Sequence, residues 1–328
     1  MPTLKTPSDS LSVQQRDLAL FRGLFESRVM TADHISTLYF GAKSEATKKR
    51  LQKLKAAELI DERPRRPYEP SVLFLARKGY DILRDQGVLS EYPYIGRSSI
   101  ERRSRVSDLT LRHELEVMDV KTAFHSAING TDAFTVAEFS TWPLLHQFEV
   151  SRPERHRPEL VKPDGFIRIR EKEADGGVSE HSFFLEVDRS SEIQDTLVAR
   201  AGCYLKYYNS GGFAAKHGAP RAAYKEYPFR VLLVFKTAER RNNIAERLLQ
   251  SNPPIYAQAC LATFAEATAD PLGAVWTCPR DYHDATKGTP FDPDRRRKRW
   301  GYQRQAAREE LVDQRIRKFR ILTAANTP

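Results

Sequence analysis

Between Gly165 and Phe235 the apolar pattern changes period in a way few folds accommodate. Gly165-Phe-Ile-Arg-Ile-Arg170 alternates, Asp175-Gly176-Gly177 turns the chain, and Ser182-Phe-Phe-Leu-Glu-Val-Asp188 returns. Period-two alternation on both sides of a turn predicts an antiparallel hairpin. Ile193, Leu197, Ala201, Tyr204, Leu205 and Tyr208 then recur at helical spacing, behind a Ser-x-x-Gln capping box at Ser191. Phe229-Arg-Val-Leu-Leu-Val-Phe235 is a continuous apolar run, typical of a strand buried on both faces. Hairpin, helix and buried strand in that order predict a βαβ crossover and a mixed sheet flanked by helices.

The hairpin places acids together. Period two puts Phe184, Glu186 and Asp188 on one face of the second strand, while Asp164 opens the first strand opposite its end. Converging carboxylates repel unless one holds its proton or a cation lies among them, so magnesium or manganese is a candidate cofactor. Arg168, Arg189 or Arg200 could instead neutralise the same acids as ordinary ion pairs, and the pattern leaves both options open. Before the hairpin, Asp108 to Ile128 reads as a helix carrying His113, Glu114, Glu116 and Asp119, followed by a strand over 134–139. After it come a helix over 237–249 and short strands near 259–264 and 274–277.

The N-terminal third has a different rhythm. Leu18, Phe21, Leu24 and Phe25 lie on one helical face, Thr31 caps a second short helix that Gly41 ends, and Ser44 caps a third. The third helix carries Lys48, Lys49, Arg50, Lys53 and Lys55, with Lys43 just before it. Two short strands then flank a loop bearing Arg63, Arg65 and Arg66, and a last helix spans 80–86. Three helices and a hairpin predict a winged helix-turn-helix, its third helix in the major groove of double-stranded DNA and its wing on phosphates.

Charge distribution agrees. The net charge is +10, and residues 41–66 hold nine Lys/Arg against four acids while 295–320 hold eleven against three. Two basic patches are the footprint of a phosphate-backbone binder. Arg295, Arg296, Arg297, Lys298 and Arg299, followed by Trp300 and Tyr302, predict a DNA-binding arm. Cys203, Cys260 and Cys278 are odd in number and far apart, which argues against a disulfide framework and fits the cytosol. No apolar run is long enough for a membrane span, and no phosphate-binding glycine loop, serine-nucleophile elbow or clustered histidines point to an NTPase, hydrolase or relaxase.

The order of these pieces resembles the replication-relaxation family of plasmid and mobile-element proteins. The resemblance rests on the N-terminal winged helix, Leu111-Arg-His113 with Asp119, Lys162-Pro-Asp-Gly165, Phe183-Phe-Leu-Glu-Val-Asp-Arg189, the 200–208 helix and Gly273-Ala-Val-Trp276. It covers roughly residues 14 to 280 and implies a second domain like the PD-(D/E)xK restriction-endonuclease fold. Carried onto this chain, that pattern implies Asp164 and Glu186 as metal ligands, the Val187 carbonyl as a third, and Glu114 or Glu116 completing the shell. Asp188 stands where the pattern has a lysine, so Lys206 or Arg200 on the next helix, or Lys162, would have to supply the missing cation.

The expectation is therefore an α+β/α-β two-domain chain: a tail over 1–12, a winged helix-turn-helix over 13–90, a linker over 91–107, a nuclease-like domain over 108–280 and a basic arm over 281–328. Its expected role is a DNA-binding accessory protein in replication, relaxation or mobilisation, with a degenerate catalytic centre (Asp164, Glu186, Asp188, Lys206, Arg200) and a metal shell of Asp164, Glu186, Asp188 and Glu114. A magnesium-dependent endonuclease and a winged-helix transcriptional regulator are the alternatives. Other replication or mobilisation proteins and a second copy of the chain are further partners compatible with this reading.

Overall fold

The computed structural model describes residues 11–151, 157–189, 193–287 and 310–322. The chain divides into two compact units, Met1–Thr122 and Ala123–Pro328.

In the first unit, α1 (Gln15–Ser27) buries Leu20, Phe21, Leu24 and Phe25. The short strand β1 (Met30–Thr31) leads into α2 (Ala32–Phe40), capped by the Thr31 hydroxyl, which accepts from the His34 N–H at 3.1 Å. Gly41, at φ 57°, ends α2 in the left-handed region that glycine adopts without strain. Helix α3 (Ser44–Ala56) buries Thr47, Leu51 and Leu54 and turns Lys48, Lys49 and Lys53 to solvent. Strands β2 (Ile60–Glu62) and β3 (Val72–Leu75) join β1 in an antiparallel sheet of order β1-β3-β2.

Helix α4 (Arg77–Asp85) packs so closely that a Cβ at Gly79 would run into the Leu59 carbonyl. Residues 91–107, expected as a linker, instead contain helix α5 (Arg97–Ser104). Ile100 is buried, and Tyr92 is buried edge-on to Phe25 with ring centroids 5.2 Å apart. Few apolar residues mark this segment, so its sequence reads as polar connector. Helix α6 (Asp108–Asn129) follows, and the division between units falls inside it rather than at the expected 107/108 boundary. Its first turns belong with the first unit because Asp119 meets His34 at 2.7 Å and Lys121 lies 3.9 Å from Glu26.

The second unit is built on a five-stranded mixed sheet of order β10-β9-β8-β7-β4. Strands β4 (Phe134–Ser140), β7 (Gly165–Lys172) and β8 (Val178–Asp188) pair antiparallel. Between β4 and β7, helix α7 (Pro143–His146) precedes a separate pair, β5 (Phe148–Val150) and β6 (Glu159–Val161), too short to show in the sequence pattern. The crossover helix α8 (Gln194–Asn209) joins β8 to β9 (Arg230–Phe235), which run parallel as the crossover requires. Ser191, the expected cap, lies outside the described residues. Helix α9 (Gly212–Lys216) and a 3-10 turn (Arg221–Glu226) lie within that connection.

Helix α10 (Ala238–Gln250) then leads to β10 (Ala259–Thr263), parallel to β9, followed by α11 (Phe264–Ala269) and α12 (Pro279–Thr286). The strand expected near 274–277 appears only as isolated bridges, Leu261 to Thr277 and Trp276 to Phe319. One core runs under the sheet, where Phe166, Phe184, Tyr204, Phe229, Phe235, Ile244 and Leu248 pack together.

The basic arm expected over 281–328 is in part core. Val312 and Ile316 pack on Ala285, Ile321 and Leu322 are buried, and the Phe319 backbone pairs with Trp276 at 2.7 and 3.2 Å. Arg241, whose side chain is fully buried, joins α10 to Glu266 at 3.3 Å and to Asp313. Apolar residues three to five apart within a basic background anchor this segment. Arg295, Arg296, Arg297, Lys298 and Arg299 lie outside the described residues.

Candidate functional site

The Pro-Asp-Gly turn before β7 sets the first carboxylate. The Asp164 N–H donates to the Leu185 carbonyl at 3.1 Å, and its carboxylate accepts from the Val187 N–H at 2.8 Å. Asp164 is thereby fastened to β8 on either side of Glu186. The Glu186 side chain is 3% exposed and points, with Phe184, toward α8. Its Oε1 accepts from the Tyr204 hydroxyl at 2.6 Å and its Oε2 from Arg200 at 2.9 Å. Arg200 and Tyr204 are four residues apart, so one helical face delivers both donors.

Burial and the Asp164 charge push the Glu186 carboxyl up to about 7, against the opposing pull of Arg200 and Tyr204. Burial and the Glu186 charge hold the Tyr204 phenol well above its ordinary range. The shift carries Glu186 toward neutrality and Tyr204 away from it.

Asp188 does not join this pair. Its carboxylate is 4% exposed and is clasped by Arg240, with Nε at 2.8 Å and the second nitrogen at 3.4 Å. Register explains the geometry: Asp188 stands beside Phe235 at the end of β9, and α10 starts three residues later. The Thr237 hydroxyl caps that helix by accepting from the Arg240 N–H at 3.2 Å. Arg240 was not among the cations anticipated from sequence, because a partner 52 residues away becomes visible only once β8 and β9 are known neighbours. A capped helix directly after a buried parallel strand was the available signal.

Two other expected members sit elsewhere. Glu114 forms an ion pair with Arg28 at 3.0 Å within the first unit. Lys206 lies two residues past Tyr204, hence on another helical face, and lines a cavity of about 480 Å³ with Gly202, Asn209 and Pro253. Among the described residues no group of three or more His, Cys, Asp or Glu is arranged to hold a metal ion. The expected shell of Asp164, Glu186, Asp188 and Glu114 is thus not assembled. The Glu186 oxygens accept from the Arg200 guanidinium and the Tyr204 phenol, those of Asp188 from Arg240, and the Asp164 carboxylate from the Val187 N–H.

The basic face of the first unit also divides. Lys43, Lys48, Lys49 and Lys53 are exposed, with Lys48 lightly held by Glu45 at 3.1 Å. Arg50 turns inward and clasps Asp17, whose side chain is fully buried. Arg63 donates to the backbone carbonyls of Ser104 and Val106, the latter at 3.1 Å. These two arginines therefore hold the fold together rather than face solvent as expected. On the β2–β3 loop, Arg65 contacts Glu62 at 2.8 Å and Arg66 contacts the Tyr68 hydroxyl at 3.0 Å, and both remain exposed.

No helix among the described residues is long and apolar enough to cross a membrane. The sequence model described as replication-relaxation matches residues 21–221. No curated protein matches the chain. Among solved structures, the restriction endonuclease FokI is similar over 78% of this chain and 42% of its own, at 14% identity and a TM-score of 0.25. The chain spans less than half of that enzyme, and a likeness so loose carries no argument.

Proposed function

The chain belongs to the replication-relaxation family, and from that premise we propose that it is a DNA-binding accessory protein of a plasmid or mobile element, acting in replication, relaxation or mobilisation. The first unit is a winged helix-turn-helix: α3 enters the major groove, and the β2–β3 loop, with Arg65 and Arg66, follows the phosphates. The observation that carries this reading is the two-sided α3, with Thr47, Leu51 and Leu54 inside and Lys48, Lys49 and Lys53 outside. Lysines of this kind bind backbone more than bases, so they supply affinity and little sequence choice.

The second unit is a PD-(D/E)xK-like scaffold used for binding. Nuclease chemistry on that scaffold needs carboxylates open to a metal and a cation aimed at the phosphate. Here Arg200 and Arg240 are spent on Glu186 and Asp188. Incubation with supercoiled plasmid and magnesium or manganese tests the reading. Retarded but unnicked plasmid is expected; metal-dependent nicking that disappears in Glu186→Gln would establish the endonuclease alternative.

A further inference from the structure

A second concentration of charge lies in the second unit, beside the start of β9 rather than its end: a groove of about 500 Å³ whose walls carry Arg230, Arg280, Arg317 and Arg320. That is room for a nucleotide-sized group. All four arginines are exposed, and among the described residues none forms an ion pair with a carboxylate. The acids that share the groove are already engaged. Glu180 lies 3.5 and 3.3 Å from Arg168 and Arg170, and Asp281 accepts from the Cys278 N–H at 3.0 Å. Guanidinium charge is therefore left over in a concave place.

The arginines are also presented on fixed backbone. Arg317 and Arg320 flank Phe319, which is paired in both directions with the fully buried Trp276, and Ile321 and Leu322 anchor the chain beyond. Arg230 stands beside Phe183 in the β8–β9 register, and Arg280 occupies the first turn of α12, over the Tyr256 ring at 5.9 Å. Four guanidinium groups outnumber the two carboxylates, Glu180 and Asp281, along the groove's walls, and that excess attracts a polyanion.

We propose that this groove binds the phosphodiester backbone of a DNA strand, as a contact separate from α3. The guanidinium fork matches phosphate oxygens in pairs, and a net charge of +10 favours a polyanion over an isolated carboxylate. Most of the lining comes from residues beyond 221, outside the segment matched by the family. The inference rests on the DNA-binding reading above.

The test is fluorescence anisotropy with labelled single-stranded and duplex oligonucleotides across a salt series, using the full chain. R280A/R317A/R320A should flatten the dependence of log affinity on log salt by about two units, from roughly 0.7–0.9 per lost phosphate contact. Its melting temperature should stay close to the wild type, because among the described residues these three side chains form no ion pair with a carboxylate, and R280K/R317K/R320K should keep the slope. An unchanged slope in the alanine variant, in a protein whose DNA binding responds to substitutions on α3, would overturn the groove and leave the α3 reading standing. An acidic peptide that needs these arginines while DNA does not would overturn it too. Failure of the wild type to bind either oligonucleotide would defeat both readings.

Discussion

The Tyr204 hydroxyl donates to Glu186 at 2.6 Å from one helical turn beyond Arg200, which donates to the other oxygen of the same carboxylate at 2.9 Å. The Glu186 carboxylate is thereby enclosed by its own crossover helix.

That enclosure sets a pH dependence. The Glu186 carboxyl is raised to about 7 from an ordinary value of 4.5, so between those values the folded chain holds a proton that the unfolded chain releases. Its contribution to stability is fully present below about 4.5 and is lost as pH rises through 7, on the order of 2–3 kcal/mol. Relative to Glu186→Gln, the wild type should therefore weaken from pH 5 to pH 8 in denaturant unfolding. Asp164, Arg200 and Tyr204 are common to both proteins, so the difference reports Glu186. A gap that stays constant with pH would contradict this assignment.

Asp188 and Arg240 form a mostly buried pair, and removing one partner takes a charged contact from the other where water does not replace it. Arg240→Ala should cost about 3–5 kcal/mol. Asp188→Asn, which keeps shape and some hydrogen bonding, should cost less. A double-mutant cycle measures the coupling directly, and a value near zero would mean that the pair is not the reason Asp188 tolerates burial.

Arginine and lysine on α3 should behave differently. Arg50→Ala leaves the fully buried Asp17 without its clasp and should lower stability by about 3–5 kcal/mol. Lys49→Ala, at an exposed position, should stay within about 0.5 kcal/mol. Equal effects in thermal melts would contradict the inward placement of Arg50.

Ending the chain at residue 309 removes Val312, Ile316, Ile321 and Leu322 from the core and takes Asp313 from the fully buried Arg241. The truncated protein should melt earlier or lose cooperativity in the second unit. An unchanged melt would return these residues to the status of a solvated arm.

Much of this architecture was legible because its periods are long. The β7–β8 hairpin, the α8 crossover and the buried β9 follow from alternation and apolar runs, and the chain indeed forms a mixed sheet from them. The two-residue β1 and three-residue β5 and β6 were not legible, since a period cannot show in so few residues. At the site, the strand pattern puts Asp164 at the mouth of β7 opposite β8, where its carboxylate accepts from the Val187 N–H. The diversion of Asp188 did not follow from that pattern, because Arg240 reaches it through sheet order. Arg50 misled for a simpler reason: a charged residue between Thr47 and Leu51 on the inner side of a helix looks the same in sequence as one beside them.

If α3 carries the DNA contact, its exposed lysines set the salt dependence of binding. The most direct measurement is the salt dependence of duplex affinity for the wild type and for K48A/K49A/K53A, in the same buffer and with the same oligonucleotide. Three lost phosphate contacts should reduce the slope of log affinity against log salt by between about two and three units, with the melting temperature unchanged. A slope and affinity identical to the wild type would contradict the account and remove α3 from the interface.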